Sequence, residues 1–125
     1  METRTLASAD ISGFLAAGTR SLLTQTLVFD TEELSSYLRA GRNVHVSGKR
    51  HLALTVARVE VFPAYQRQGF CRQFFSMLEA AGRLHGYEVL YVESVLNLNL
   101  RDWLLREGYQ AWHPDETCVL RFLGK

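Results

Sequence analysis

A predicted strand ends and a predicted helix begins within the segment Val59-Glu-Val-Phe-Pro-Ala-Tyr-Gln-Arg-Gln-Gly-Phe-Cys-Arg72. Leu52 to Phe62 is rich in β-branched and apolar residues and stops at Pro63, which indicates a strand. From Gly69 to about His85, apolar side chains recur at helical spacing. Free N–H groups at a helix start, a glycine that permits close approach and arginines on both sides favour an anion-binding turn. An ordinary strand-to-helix turn with exposed arginines is the alternative.

The residues that follow predict a β-α-β unit. Tyr87 to Val95 is a nearly continuous apolar run, interrupted by Glu93, and is typical of a buried strand. The two strands should be parallel with a right-handed crossover. A further helix is predicted from about Leu98 to Glu107, and two strands follow it, Tyr109 to His113 and Thr117 to Leu123.

Four shorter patterns precede the segment. We expect a short strand over Thr3 to Leu6, then a helix that starts at Ser8 or Asp10 and carries apolar residues as far as Leu22. Asp30-Thr-Glu-Glu33 has the order of a capping box and predicts a second helix that ends at Gly41. Val44 and Val46, followed by Ser47-Gly48-Lys49, predict a hairpin into the strand after Leu52.

Composition limits the class of protein. The chain has 125 residues, 47% of them hydrophobic, which suits one domain with one core. The 14 basic and 13 acidic residues give a net charge of +1, so nonspecific phosphate-backbone binding is disfavoured. No apolar stretch is long enough for a bilayer, and Cys71 and Cys118 are expected as reduced thiols in a cytoplasmic protein. The four histidines show no metal-ligand spacing, and no metal is expected.

The loop resembles the cofactor motif of the GNAT superfamily of acyl-CoA-dependent N-acetyltransferases. That motif is [QR]-x-x-G-x-[GA] after a strand ending in V-x-P, and Gln66, Gly69 and Cys71 occupy its defined positions. Cys71 replaces Gly or Ala but is still small. Tyr65-Gln-Arg-Gln-Gly69 is similar to the loop of bacterial enzymes that acetylate protein N-termini. Further along, Asn97 precedes Gly108 by the usual 11 residues.

The resemblance implies one GNAT-like domain over residues 1–125, of the α/β class. Its sheet would be mixed and mostly antiparallel, with a splayed parallel central pair flanked by helices. The stretch from Gly41 to Val56 is shorter than the family's usual strand pair, so a trimmed outer sheet is expected. The cofactor would be acetyl-CoA, with the strand edge holding pantetheine, the loop holding the pyrophosphate and Asn97 contacting pantetheine or the thioester. The cofactor-binding residues it implies are Val59, Glu60, Val61, Arg67, Gln68, Gly69, Phe70, Cys71, Arg72 and Asn97.

Direct acetyl transfer needs a neutral amine, so a general base is sought. Glu93 resembles the strand glutamate that serves as base in the N-terminal acetylating enzymes, and we predict it as the catalytic residue. A strand carboxylate satisfied by an arginine or by solvent is the alternative. Glu60 is a weaker candidate, because the alternation of side chains along a strand places it on the other face from Val59 and Val61. Leu104 stands where the family usually has its general-acid tyrosine.

The resemblance therefore predicts an N-acetyltransferase that moves an acetyl group from acetyl-CoA to an amine on a protein or a small molecule. The competing hypothesis is a weak or inactive GNAT-fold binding module, of phage or mobile-element type, that docks on a protein partner. Membrane association is not expected and nucleic acid is disfavoured as a partner, whereas a homodimer stays open.

Overall fold

The computed structural model describes residues 8–93, 95, 97–112 and 118–124. The predicted strand over Thr3 to Leu6 lies outside these residues. The described helices are α1 (Ser8–Arg20), α2 (Phe70–Leu84) and α3 (Leu98–Arg106), and a short 3-10 turn covers Pro63–Tyr65. The described strands are β1 (Gln25–Asp30), β2 (Leu34–Val46), β3 (Lys49–Val61), β4 (Val89–Val92), β5 (Gln110–Trp112) and β6 (Cys118–Phe122).

The described strands form one mixed sheet in the order β1-β2-β3-β4-β6-β5. Its β3 and β4 are parallel and joined through α2, while every other neighbouring pair is antiparallel. This confirms the predicted β-α-β unit and the predicted mixed, mostly antiparallel sheet. The hairpin between β2 and β3 is confirmed as well, with Ser47 and Gly48 at φ values of 54° and 81° in its turn, the left-handed pair that suits a tight hairpin.

The predicted helix from Asp30 to Gly41 is wrong. Thr31 does accept hydrogen bonds through its Oγ1, from the Glu33 and Leu34 amides at 3.1 Å each, but these bonds close the turn between β1 and β2. A capping threonine and a strand-turn threonine make the same short-range bonds. The residues after it alternate in burial along β2, as a strand requires.

Two related expectations fail for similar reasons. Leu22 lies beyond the end of α1 and its side chain is exposed, so the helix is shorter than its apolar pattern predicts. The outer sheet is not trimmed, because β2 starts at Leu34 and has 13 residues, and β1 pairs with it.

A bulge in β3 separates the two central strands. Leu38 pairs with Val56 and Tyr37 with Arg58, so Ala57 is an extra residue on β3. The parallel ladder between β3 and β4 ends at the same place, with Val56 opposite Val92. Beyond this point β3 continues to Val61 while β4 stops. The predicted splay is therefore confirmed, and it begins at the bulge.

Apolar side chains pack on both faces of the sheet. The helices cover the larger core, in which Leu15 of α1, Leu78 of α2 and Leu104 of α3 are fully buried. Tyr87 fastens α1 to this core, since its hydroxyl donates to the Leu15 carbonyl oxygen at 2.6 Å. A smaller cluster lies on the opposite face and includes Val89.

Candidate cofactor cavity and strand gap

The turn before α2 presents a row of free backbone donors. Gly69 is the N-cap of α2 with a φ of 84°, and Arg67 has a φ of 65°. Within the described part of the chain, the amides from Arg67 to Arg72 have no hydrogen-bond acceptor, whereas the Gln66 and Gln73 amides on either side are bonded. Helix starts leave such donors open, and the helix dipole adds partial positive charge there. The turn is chemically suited to a phosphate group.

A cavity of about 600 Å³ opens beside this turn. Its walls come from the end of β3, the loop, the start of α2 and one face of α3. The lining residues are Val59, Glu60, Val61, Tyr65, Gln66, Arg67, Gly69, Phe70, Cys71, Arg72, Asn97, Asn99, Leu100 and Trp103. They include nine of the ten cofactor residues predicted from the sequence. Gln68 does not line the cavity, because its side-chain amide turns back and donates to the Ala64 carbonyl oxygen at 3.0 Å.

Glu60 lines the cavity mouth but faces away from the core. Its carboxylate lies 3.8 Å from Arg58, and both side chains are more than half exposed. Val59 and Val61 pack on the helix-covered core instead. The parity argument made from the sequence is therefore confirmed, and the Glu60 contribution to this wall is at the solvent side.

Arg72 is held in place at the cavity wall. Its guanidinium donates to the Glu107 carboxylate at 3.1 Å and lies 5.4 Å from the centre of the Trp103 ring. Arg67 is exposed. The cavity thus has two exposed cations beside the open amides, of which Arg72 is anchored by Glu107. Trp103 contributes the flat wall beneath the guanidinium.

The Cys71 thiol belongs to the structure of the cavity wall. Burial raises the pKa of this thiol to about 11, so the group is neutral at physiological pH. A neutral thiol is a poor nucleophile. Cys71 also packs against the helix-covered core. Its position in the loop is consistent with a small wall residue.

A second, smaller cavity occupies the gap between the splayed strands. It has a volume of about 210 Å³ and is bounded by Ala57 and Val59 of β3 on one side and by Glu93 after β4 on the other. Asn97 and Leu100 line both this gap and the larger cavity. The Asn97 side chain accepts a hydrogen bond from the Leu100 amide at 3.1 Å and so caps α3. The loop, the strand edge and the gap form one continuous path.

Glu93 stands where this path reaches the other face of the sheet. Its amide donates to the Val56 carbonyl oxygen at 2.9 Å, at the end of the parallel ladder. Its carboxylate Oε1 accepts from Arg39 Nη2 at 2.5 Å, and both side chains are partly exposed. This is the arginine-paired arrangement that the sequence left open as an alternative. Oε2 of Glu93 has no partner in the described residues.

A third cavity, of about 300 Å³, begins at Glu93 on that opposite face. Pairing places Arg39, Thr55 and Tyr91 in one row across β2, β3 and β4, and all three line this cavity. Val44, His45 and Trp112 complete its lining. The Thr55 hydroxyl is buried and, among the described residues, has no hydrogen-bond partner.

Sequence reasoning missed Arg39 and Thr55. Arg39 was assigned to a helix that does not exist, so its alignment with β3 and β4 could not be inferred. Thr55 lies in a correctly predicted strand, but a threonine there is also an ordinary β-former. The only available signal was a single polar residue inside the apolar run from Leu52 to Val56.

The position of the usual general-acid tyrosine carries no chemistry in this fold. Leu104 is fully buried in the helix-covered core and does not line any of the three cavities. Tyr109 donates to Glu79 at 2.5 Å, and burial together with Glu79 raises the pKa of its hydroxyl. Tyr91 lines the third cavity.

No helix in the described part of the chain has the length and apolar character to cross a membrane.

No family model matches the sequence, and no curated protein matches it. Solved structures do match in three dimensions. The complex of KacTA with DNA matches with a TM-score of 0.59 and 17% identity, over 98% of this chain and 84% of that one. The GNAT family N-acetyltransferase YhbS from Escherichia coli, in complex with CoA, matches with a TM-score of 0.56 and 17% identity, over 98% and 83%.

The AtaT Y144F mutant toxin, bound to the C-terminus of the antitoxin AtaR, matches with a TM-score of 0.55 and 17% identity over 70% of this chain. The matched region spans 58% of that toxin's length. AtaT complexed with acetyl-methionyl-tRNAfMet matches with a TM-score of 0.58 and 13% identity, over 96% and 85%. At these identities the likeness establishes architecture: this chain has the GNAT fold.

Proposed function

We propose that this protein is an acetyl-CoA-dependent N-acetyltransferase that acts on an amine of a protein or a small molecule. The observation that carries the proposal is the continuous path from the open amides of Arg67 to Arg72, through the gap between β3 and β4, to Glu93. The GNAT fold supports it, as do relatives in that fold solved with CoA or acetyl-CoA.

The cavity fits coenzyme A by its chemistry. A diphosphate needs several N–H donors in one place, and the turn before α2 offers them with Arg67 and Arg72 beside it. Each charge-assisted bond contributes about 1.5 to 3 kcal/mol, so three or four contribute about 4.5 to 12 kcal/mol towards the cost of association. Beyond the bulge, the backbone of Val59 to Val61 is free of β4 and can bond the amide groups of pantetheine. Asn97 would lie beside the far end of that arm.

Glu93 is the proposed general base. When bound, acetyl-CoA would supply the acetyl group as a thioester, so that an amide C–N bond replaces the C–S bond. The acceptor ammonium would lose two protons overall, one to the CoA thiol and one to solvent. An amine is mostly protonated at neutral pH and must lose a proton to become a nucleophile. Oε2 of Glu93, which Arg39 leaves open, is the acceptor for that proton. Arg39 holds the carboxylate at the end of the gap.

The pH dependence of a Glu93→Gln variant tests the role of this carboxylate. We expect kcat/KM to fall most at low pH, where the acceptor amine is charged, and to recover towards the wild-type value as pH rises and the amine loses its proton without help. CoA release with a panel of amines is the assay. Arg20→Gln, an exposed change at the end of α1, is the control. A variant profile parallel to that of the wild type at every pH would exclude Glu93 as the base.

A binding module is the second candidate function. Leu104 favours it, because its burial in the core leaves the cavities without the tyrosine that the family normally supplies from that position. A module of this kind would still bind CoA through the same turn. Binding of acetyl-CoA by calorimetry, with no thiol released over hours against any amine in the panel, is the result that would favour the module. If no heat is observed at millimolar acetyl-CoA, the enzyme and a module that binds CoA are both wrong.

A further inference from the structure

The third cavity differs from the cofactor path in its charges. It has one cationic side chain, Arg39, and one anionic side chain, Glu93, held together by a 2.5 Å ion pair. Each keeps unused bonding capacity: one carboxylate oxygen of Glu93 and several N–H groups of Arg39 have no partner among the described residues. Paired charges of opposite sign are complementary to a ligand that also carries both signs.

A ligand with a single charge would be a poor match for this pair. A simple ammonium ion could bond only the open oxygen of Glu93, and a simple carboxylate could bond only the open N–H groups of Arg39, so each would leave the bonding capacity of the other group unused. A zwitterion satisfies both groups at once with charge-assisted hydrogen bonds.

Thr55 provides the second, independent observation. Its side chain is at the base of this cavity, only 1% of the residue is exposed, and its hydroxyl has no partner among the described residues. Buried hydroxyls are almost always hydrogen-bonded, because an unmatched one costs free energy. Thr55 pairs directly with Arg39 across the sheet. A carboxylate that Arg39 binds would therefore be close to the Thr55 side chain in the same row.

The remaining walls define the rest of the ligand. Val44 and Trp112 give the cavity apolar surface next to the charged row. A volume of about 300 Å³ is at the small end of the range for small-molecule sites. A large folded acceptor would have to reach this space with one residue only.

We infer that the third cavity binds a free α-amino acid with an apolar side chain: its carboxylate at Arg39 and Thr55, its ammonium at Glu93 and its side chain against Trp112. This inference rests on the proposed function in one respect, since it places the acceptor amine beside the gap through which the thioester would arrive. The binding itself is independent of the cofactor.

The test measures binding to the full chain without cofactor, by NMR titration. The probes are L-leucine, L-leucinamide (ammonium only) and 4-methylpentanoate (carboxylate only). We expect L-leucine to bind at least about tenfold more tightly than either single-charge probe, because only it engages both charges. Arg39→Gln should reduce the affinity for L-leucine to that for L-leucinamide. Thr55→Val, which keeps the side-chain shape, should reduce the affinity for L-leucine several-fold. Arg20→Gln should leave every affinity unchanged.

Three results would overturn the inference: no saturable binding of L-leucine at high millimolar concentration, an amide that binds as tightly as the amino acid, or a short peptide amine that binds more tightly than both. The ligand comparison on the wild type keeps the test decisive even if a variant fails to fold. Calorimetry with acetyl-CoA separates the two proposals. A protein that binds acetyl-CoA and acetylates peptides but not amino acids keeps its function and loses this acceptor.

Discussion

Replacement of Gly69 by aspartate tests whether an anion binds at the turn before α2. Apart from its two chain neighbours, no described residue has an atom within 4 Å of the place where a β-carbon would be, so the fold itself leaves room for a side chain. The φ of 84° strains any side chain, but asparagine and aspartate tolerate this region best among residues other than glycine. Gly69→Asn is therefore the matched control: it has the same shape and the same strain without the charge.

The magnitude follows from the exposure of the site. Two like charges 4 Å apart repel by about 1 kcal/mol in water, so an aspartate beside a doubly charged diphosphate costs about 2 kcal/mol. That corresponds to about 30-fold weaker binding of Gly69→Asp than of Gly69→Asn. Calorimetric titration with CoA at low salt measures the ratio, which should shrink as added salt screens the repulsion. Equal affinities of the two variants would refute a diphosphate at this turn.

Two further predictions concern stability. Tyr87→Phe removes the hydrogen bond to the Leu15 carbonyl oxygen and should lower the free energy of unfolding in urea by about 1 to 2 kcal/mol; an unchanged midpoint would show that the bond does not matter. For Glu88, burial alone would raise the carboxyl pKa, but bonds from the Leu52 amide and His51 outweigh it and lower the pKa below its ordinary 4.5. The charged form of Glu88 thus stabilises the fold above this value, and the stability is lost as pH falls through the lowered pKa. The free energy of unfolding of Glu88→Gln should therefore depend less on pH in that acid range than that of the wild type. Parallel plots of this free energy against pH for variant and wild type would contradict the prediction.

The sequence predicted those elements whose period is unambiguous. These elements are the strand ending at Pro63, α2, α3 and the last two strands, and each has a single pattern next to a Gly or Pro. The turn predicted between the last two strands lies outside the described residues. The helix prediction for Thr31 to Gly41 was wrong because Leu34 and Leu38 are four residues apart, a spacing that fits one face of a helix and one face of a strand equally well. Pairing with β3 decides between the two, and pairing is not a local property. Thr31 does not distinguish the two structures either, because a threonine makes the same short-range hydrogen bonds at a helix start and in a turn between strands.

The candidate site was predictable to the same degree. The predicted pyrophosphate-binding residues, Arg67 to Arg72, are contiguous, so a local motif locates them. All of them but Gln68 line one cavity. The partners of Glu93 come from distant strands: Arg39 is 54 residues away along the chain. No spacing rule connects them, because the connection is made by strand register. The sequence could offer an arginine partner for Glu93 only as a type of residue, never as a position.

Register also explains why the cavity beside the Arg67 to Arg72 turn lies on one face of the sheet and the third cavity on the other. The bulge at Ala57 shifts the parity of β3 by one residue, so Val59 and Val61 stay on the helix-covered face that Leu54 and Val56 occupy before it. If Ala57 followed the regular strand alternation and were not bulged out, Val59 and Val61 would turn to the other face, and Glu60 would point into the core. Over its four residues β4 has no matching bulge, and so the parallel ladder cannot continue past Val56. A deletion of Ala57 would therefore remove the bulge, and the ladder with β4 would no longer be interrupted at Val56. The strand edge would not invert, because Arg58 would follow Val56 in regular alternation and Val59 and Val61 would keep their face.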